Sequence, residues 1–126
     1  MTQEQIIEGN KLISLFMGFK EEEIQAEDWC GCNVLEDNGF GGLEMFPANY
    51  HENWSRLMPV VEEIESIGQT YVEFGKKHCR IQPILYNPKK DCMEWQLLHE
   101  TQCATKIEAV YSAVLKFITW YNQQPK

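Results

Sequence analysis

The chain predicts an α/β (α+β) sandwich: three helices on a small, mainly antiparallel sheet, in an α-β-α arrangement, as a single domain over residues 1–126. Three observations carry this. Apolar residues recur every three or four positions in three separate segments. Between the second and third segments, β-branched and aromatic residues gather in short extended runs. A chain of 126 residues that is 44% apolar is enough for one hydrophobic core.

The first helix is expected over 3–17, where Ile6, Ile7, Leu12, Ile13, Leu15, Phe16 and Met17 fall near helical spacing. Thr2 stands where a cap is needed and Gly18 where a stop is needed. Gly9 lies inside and weakens the helix by about 1 kcal/mol relative to alanine. "KEEE", 20–23, reads as a solvated turn. Residues 26–49 read as irregular, with Gly31, Gly39, Gly41, Gly42 and Pro47 as punctuation. At most two short strands fit there, near Asn33–Glu36 and Leu43–Phe46.

A second helix falls within 49–68, with Trp54, Leu57, Met58, Val61, Ile64 and Ile67 on one stripe. Pro59 inside it implies either a kink or a second helix that starts there. Residues 70–100 predict a three-stranded antiparallel meander, from "TYVEFG", "HCRIQPILY" and "CMEWQLLHE". Met93, Trp95 and Leu97 share one face, and Pro83 marks an edge or a bulge. The last helix carries the strongest signal. Thr105 and Glu108 form a capping-box pair, and Ile107, Val110, Tyr111, Val114, Phe117, Ile118 and Tyr121 form one apolar stripe.

The net charge of −8 is unevenly spread. Residues 1–73 carry 15 acids against Lys11, Lys20 and Arg56, a net of −12; residues 74–126 carry four acids and eight bases, a net of +4. Overall acidity opposes binding to long nucleic acid. The acid-free run of Lys76, Lys77, Arg80, Lys89 and Lys90 still suits either one small anion or the guarding of a sheet edge. Arg80 is the best placed for phosphate, because a guanidinium offers a planar fork. No apolar run approaches the 18 residues of a membrane span, and "MTQEQIIEGNKL" lacks the basic and apolar regions of a secretory signal. A cytosolic location is expected, with reduced thiols.

Cys30 and Cys32 are separated by one residue, whereas redox and zinc pairs use wider spacings and a helical or paired context. They read as loop thiols, and no metal or cofactor is expected. Cys79 and Cys92 are expected to face each other across a hairpin as small buried side chains. "EDNGFGG" lacks the lysine and hydroxyl of a phosphate loop. His51, His78 and His99 lack a neighbouring nucleophile pattern, so no enzymatic activity is expected.

Tyr50, His51 and Trp54 fall where a helix begins, and free backbone N–H groups there favour an anion. In the functional reading the two aromatics stack on a base and His51 donates to a phosphate or ribose. In the plainer reading Trp54 is core, Tyr50 packs beside it, and His51 caps the helix or is exposed. The candidate ligand-binding set is therefore Tyr50, His51, Trp54, Lys77 and Arg80.

Three blocks, "NKLISLFMGF" (10–19), "YHENWSRLMPVVEEIESIG" (50–68) and "TKIEAVYSAVLKFITWYNQQ" (105–124), resemble small phage and prophage proteins of Bacteroides-type bacteria, similar to the phage α-β-α sandwich domain family. Residues 20–49 depart from it. The resemblance implies an α/β sandwich and a phage origin, and carries no catalytic residues. A phage origin in turn implies a non-enzymatic anti-defence protein in the bacterial host cytosol. The expected role is to sequester a small anionic ligand, such as a nucleotide immune signal, as a homo-oligomer. The alternative is a protein-interaction module that inhibits a host defence protein through its acidic surface.

Overall fold

The computed structural model describes residues 1–27, 31–95 and 98–124, and the three expected helices form in it. Helix α1 spans Gln3–Phe16. The Thr2 hydroxyl accepts from the Gln5 amide, and the Gln5 side chain accepts from the Thr2 N–H. Gly18, at φ 100°, ends it in the left-handed conformation. The acidic run Glu21–Glu23 is a single 3-10 turn with Glu21 and Glu22 exposed and Glu23 half-buried. Helix α2 spans Trp54–Glu65 and is capped by Asn53. It is one helix with Pro59 inside it; Pro59 and Ser55, whose carbonyl that residue cannot serve, are both exposed. Helix α3, Lys106–Asn122, is capped by Thr105.

The strand content exceeds the expectation in both regions. Between α1 and α2 there are three strands rather than two: β1 (Ile24–Glu27), β2 (Gly31–Asp37) and β3 (Leu43–Pro47), antiparallel in that order. Glycine punctuation hides a period of two: Cys32 and Val34 point inward, and Val34 pairs with Phe46. Asn38 shapes the β2–β3 turn, with its Oδ1 accepting from the Phe40 N–H at 2.8 Å and its Nδ2 donating to Glu44 at 2.9 Å.

The meander over 70–100 is five strands: β4 (Tyr71–Phe74), β5 (His78–Gln82), β6 (Ile84–Asn87), β7 (Cys92–Trp95) and β8 (His99–Gln102). Pro83 explains the difference. It has no N–H to give a ladder, so β5 stops at Gln82 and β6 leaves to pair with β7 alone. The chain then returns as β8, completing an antiparallel sheet in the order β4-β5-β8. Cys79 and Cys92 consequently do not face each other. Cys79 pairs with Phe74 and Thr101, and Cys92 with Asn87. Leu97 and Cys30 lie outside the described residues.

Among the described residues the result is a mixed α/β sandwich with two small three-stranded sheets and one added hairpin. Helix α3 is its axis. Ala109, Val110, Tyr111, Ala113, Val114, Phe117 and Ile118 are all buried. They meet the inner face of β5 and β8, together with α1 and α2. Each fully buried large apolar side chain here contributes roughly 1.5–3 kcal/mol. Helix α1 covers the inner face of β1 and β2 and lies against α3. No helix among the described residues is long and apolar enough to cross a membrane.

Gly9 sets the α1–α3 approach. A methyl at that position would fall well inside contact distance of the Tyr111 hydroxyl and 2.9 Å from Leu115 Cδ1. The Tyr111 hydroxyl uses the space to donate to the Ile6 carbonyl at 3.1 Å. Gly9→Ala is therefore expected to destabilise the fold by roughly 1–3 kcal/mol in urea denaturation, despite its better helix propensity. A variant as stable as the parent would show that the two helices tolerate separation.

Candidate functional site

The five residues singled out in the sequence are dispersed. Tyr50 is 3% exposed and belongs to the core. Burial pushes its phenol pKa up, partly opposed by Ser14. Trp54 has the opposite fate, 36% exposed and stacked on Phe74 at 6.2 Å. The reason is phase. Ala48 and Tyr50 are buried in the loop and turn that precede the helix, which begins only at Trp54, off its own buried stripe of Leu57, Val60, Val61 and Ile64. Lys77 is exposed in the β4–β5 turn, and its carbonyl accepts from the Cys103 N–H at 2.9 Å. Arg80 is half exposed on β5.

His51 sits at a hub. Its Nδ1 lies 3.0 Å from the Asn10 side-chain nitrogen, and its ring stands edge-on to Tyr111 at 6.0 Å. It lines a hollow of about 520 Å³ with Ile6, Glu52, Cys103, Glu108 and Tyr111. The helix starts at Thr105 and near Met1 face this hollow, but its carboxylates, Glu52 and Glu108, oppose an anion there. Glu52 lies 3.7 Å from His51 Nε2, so both ring nitrogens of His51 have neighbours inside the protein.

The more informative surface surrounds Arg80. Cross-strand pairs Tyr71–Gln82, Glu73–Arg80 and Arg80–Glu100 put these side chains on the outer face of the β4-β5-β8 sheet. The β6–β7 hairpin reaches the same face because Pro83 turns it aside and the Gln69 N–H holds the Ile84 carbonyl at 3.1 Å. That brings Trp95 onto Tyr71, with ring centres 6.0 Å apart and planes 27° apart. Both rings stay open to solvent, Tyr71 at 62% and Trp95 at 60%. Tyr71, Glu73, Arg80, Gln82 and Trp95 line a hollow of about 410 Å³. Arg80 is not a bare cation: Nε lies 3.5 Å from Glu100, and Glu73 is its register neighbour. The hollow thus offers two aromatic faces, one fork of donors, one acceptor carboxylate and one amide.

Tyr71 and Trp95 were not among the sequence candidates. The signal for Tyr71 was an aromatic in the polar phase of a strand, with Val72 and Phe74 taking the inward phase beside it.

The described thiols differ in burial, with Cys103 intermediate. Cys32 and Cys79 are buried, and Cys92 is exposed. Burial raises the Cys32 pKa and pushes Cys79 up to about 12. Mass-spectrometric mapping after a brief iodoacetamide pulse should find Cys92 modified in the native protein, and Cys79 and Cys32 only after denaturation. Rapid native modification of Cys79 would contradict the burial described.

His99 is 5% exposed, and its pKa is lowered from the ordinary 6.5 by burial first and by Lys116 second. The unfolded chain therefore takes up this proton at higher pH than the folded one. Stability associated with His99 is complete above about pH 6.5 and declines as pH falls toward the folded-state value, by at most about 1.4 kcal/mol per pH unit. Urea midpoints between pH 7.5 and 5 should fall in the parent and fall less steeply in His99→Gln. Equal slopes would remove His99 as the cause.

The chain matches no protein-family model, no curated protein and no solved structure.

Proposed function

We propose that the protein is a non-enzymatic binding protein that captures a small, planar, anionic ligand of nucleotide type on the Tyr71–Trp95–Arg80 face. One observation carries this reading: two large aromatic rings are stacked on each other yet mostly exposed, directly beside a guanidinium. Beyond joining hairpin to sheet, exposed aromatic surface of this extent marks binding faces. A base stacks on an open ring face, while Glu73, Arg80 and Gln82 supply the acceptor and donors that read its edge. The charge of a phosphate is met by Lys76 and Lys77, exposed in the preceding turn, with Lys77 roughly 10 Å along the strand from Arg80. Compared with the sequence expectation, the basic partner stays and the aromatic pair changes, from Tyr50 and Trp54 to Tyr71 and Trp95.

A phage origin and an anti-defence role in the host cytosol extend this reading. In them the protein lowers the free concentration of a nucleotide immune signal, as a homo-oligomer with one such face per copy. Calorimetric titration with cyclic and ADP-ribose-type nucleotides tests the core of it. At least one should bind. Trp95→Ala should weaken that binding by about 1–3 kcal/mol, roughly 5- to 150-fold, whereas Trp54→Ala leaves it unchanged. Absence of binding across the panel, or indifference to Trp95→Ala, overturns the reading.

A second reading rests on a different surface. Phe40 at the β2–β3 turn is 92% exposed, and Leu43 (65%) and Met45 (41%) lie on the outer face of β3. The apolar patch and the exposed Glu21 and Glu22 are the features that would suit a basic host protein. A pull-down from host lysate that recovers the same protein with the parent and with Phe40→Asp would count against it.

A further inference from the structure

The run "EDNGFGG" makes the turn between β2 and β3, and neither binding reading uses its Asn38–Gly39 pair. An asparagine carries an electrophilic carbon, Cγ, that the backbone nitrogen of the next residue can reach by closing a small ring. A side chain on that next residue screens the nitrogen. The chain has seven asparagines, and six of them precede Lys11, Val34, Tyr50, Trp54, Pro88 or Gln123. Only Asn38 precedes a glycine, which has no Cβ. Gly39 stands at φ 81°, and a methyl placed on it would meet nothing within 4 Å, so nothing crowds its backbone.

The turn also supplies what an attack by this nitrogen requires. The Gly39 N–H donates to Asp37 Oδ1 at 2.7 Å, so a carboxylate already holds the proton that must leave. Asn38 Oδ1 is where negative charge develops when Cγ is attacked. It accepts from the Phe40 N–H at 2.8 Å and from the Gly42 N–H at 3.3 Å. Asn38 Nδ2, the leaving group, donates to Glu44 Oε1 at 2.9 Å. These contacts hold the side-chain amide in one orientation. Asp37 and Gly39 are exposed, so water has access to the product of the attack.

We propose that Asn38 is a self-modification site, at which the folded turn converts its own asparagine to aspartate and isoaspartate. The Gly39 nitrogen attacks Asn38 Cγ as its proton passes to Asp37, forming the N–Cγ bond of a cyclic imide. The Cγ–Nδ2 bond breaks, and Nδ2 leaves as ammonia with the proton that Asp37 took up. Water then opens the ring at either carbonyl and leaves a carboxylate at position 38. Nothing is oxidised or reduced. The product alters the turn. The donor to Glu44 is lost, and a new negative charge faces Glu44 with Asp37 beside it. In isoaspartate an extra main-chain carbon also disturbs the bond from the Asn38 N–H to the Gly42 carbonyl, 3.0 Å, that closes the hairpin. The conversion thus loosens the turn that displays Phe40. It is independent of the Tyr71–Trp95 face and stands or falls separately from it.

The test is mass-spectrometric peptide mapping of the full chain after incubation near neutral pH, folded and in guanidinium chloride, with aspartate and isoaspartate peptides separated. The expected result is conversion at Asn38 while the other six asparagines stay intact, at a rate in the folded chain no lower than in the unfolded one. Asp37→Ser keeps an oxygen acceptor for the Gly39 N–H but loses the base. It should slow conversion in the folded chain about tenfold or more and leave the unfolded rate unchanged. Asn38→Asp copies one product and should lower the urea midpoint while the chain still folds. An intact Asn38 once other asparagines convert, a folded chain slower than the unfolded one, or an Asp37→Ser chain as fast as the parent overturns the proposal. An unchanged midpoint in Asn38→Asp overturns the loosening of the turn.

Discussion

Everything in this fold hangs on how closely α1 approaches α3. The Tyr111 hydroxyl, on a side chain 2% exposed, donates to the Ile6 carbonyl across 105 positions of sequence. A buried phenol without such a partner would lose its hydration with nothing in return. Only the missing side chain at Gly9 leaves room for it. The contact fixes two layers at once, because α1 carries the β1–β2 face beneath it and α3 carries β5 and β8. It also places the Asn10–His51 pair, since His51 stands against the same tyrosine ring.

The second constraint is Pro83. A proline within a ladder withdraws one donor, and the chain answers by leaving the sheet, making a hairpin and returning. The sheet then closes with β8 beside β5, and the hairpin is left leaning over the outer face. An aromatic pair shared between sheet and hairpin follows from that detour. So does the division of labour on β8, whose two faces carry Glu100 toward Arg80 and His99 toward Trp120.

The helices were legible because their signals are local. Caps at Thr2 and Thr105, a stop at Gly18, and apolar spacing along α3 all read directly from neighbouring residues. The sheets were less legible because pairing is not local. The run 78–86 looks like one strand until its partner is known, and the glycines around β2 resemble loop punctuation although Cys32 and Val34 alternate into the core. The candidate surface was half legible. Arg80 stood out by charge, but choosing its aromatic partners required knowing which strand residues face outward. Tyr50 and Trp54 looked interchangeable in sequence, and only the point at which helical phase begins decides that Tyr50 is core and Trp54 surface. Gly9 carried the opposite lesson: read locally it weakens a helix, while its reason lies on another helix entirely.

That last contact has a meaning for descent as well as for stability. Positions 9 and 111 are sterically coupled, so a change at one alters what the other tolerates. A side chain at 9 displaces the Tyr111 hydroxyl from the Ile6 carbonyl, so a shorter residue at 111 is the change that would relieve it. Paired change at two positions so distant in sequence leaves a trace that survives after ordinary similarity has faded. A glycine in the second turn of one helix matched to a tyrosine early in another is therefore a pairing to look for wherever a distant copy of this fold is sought.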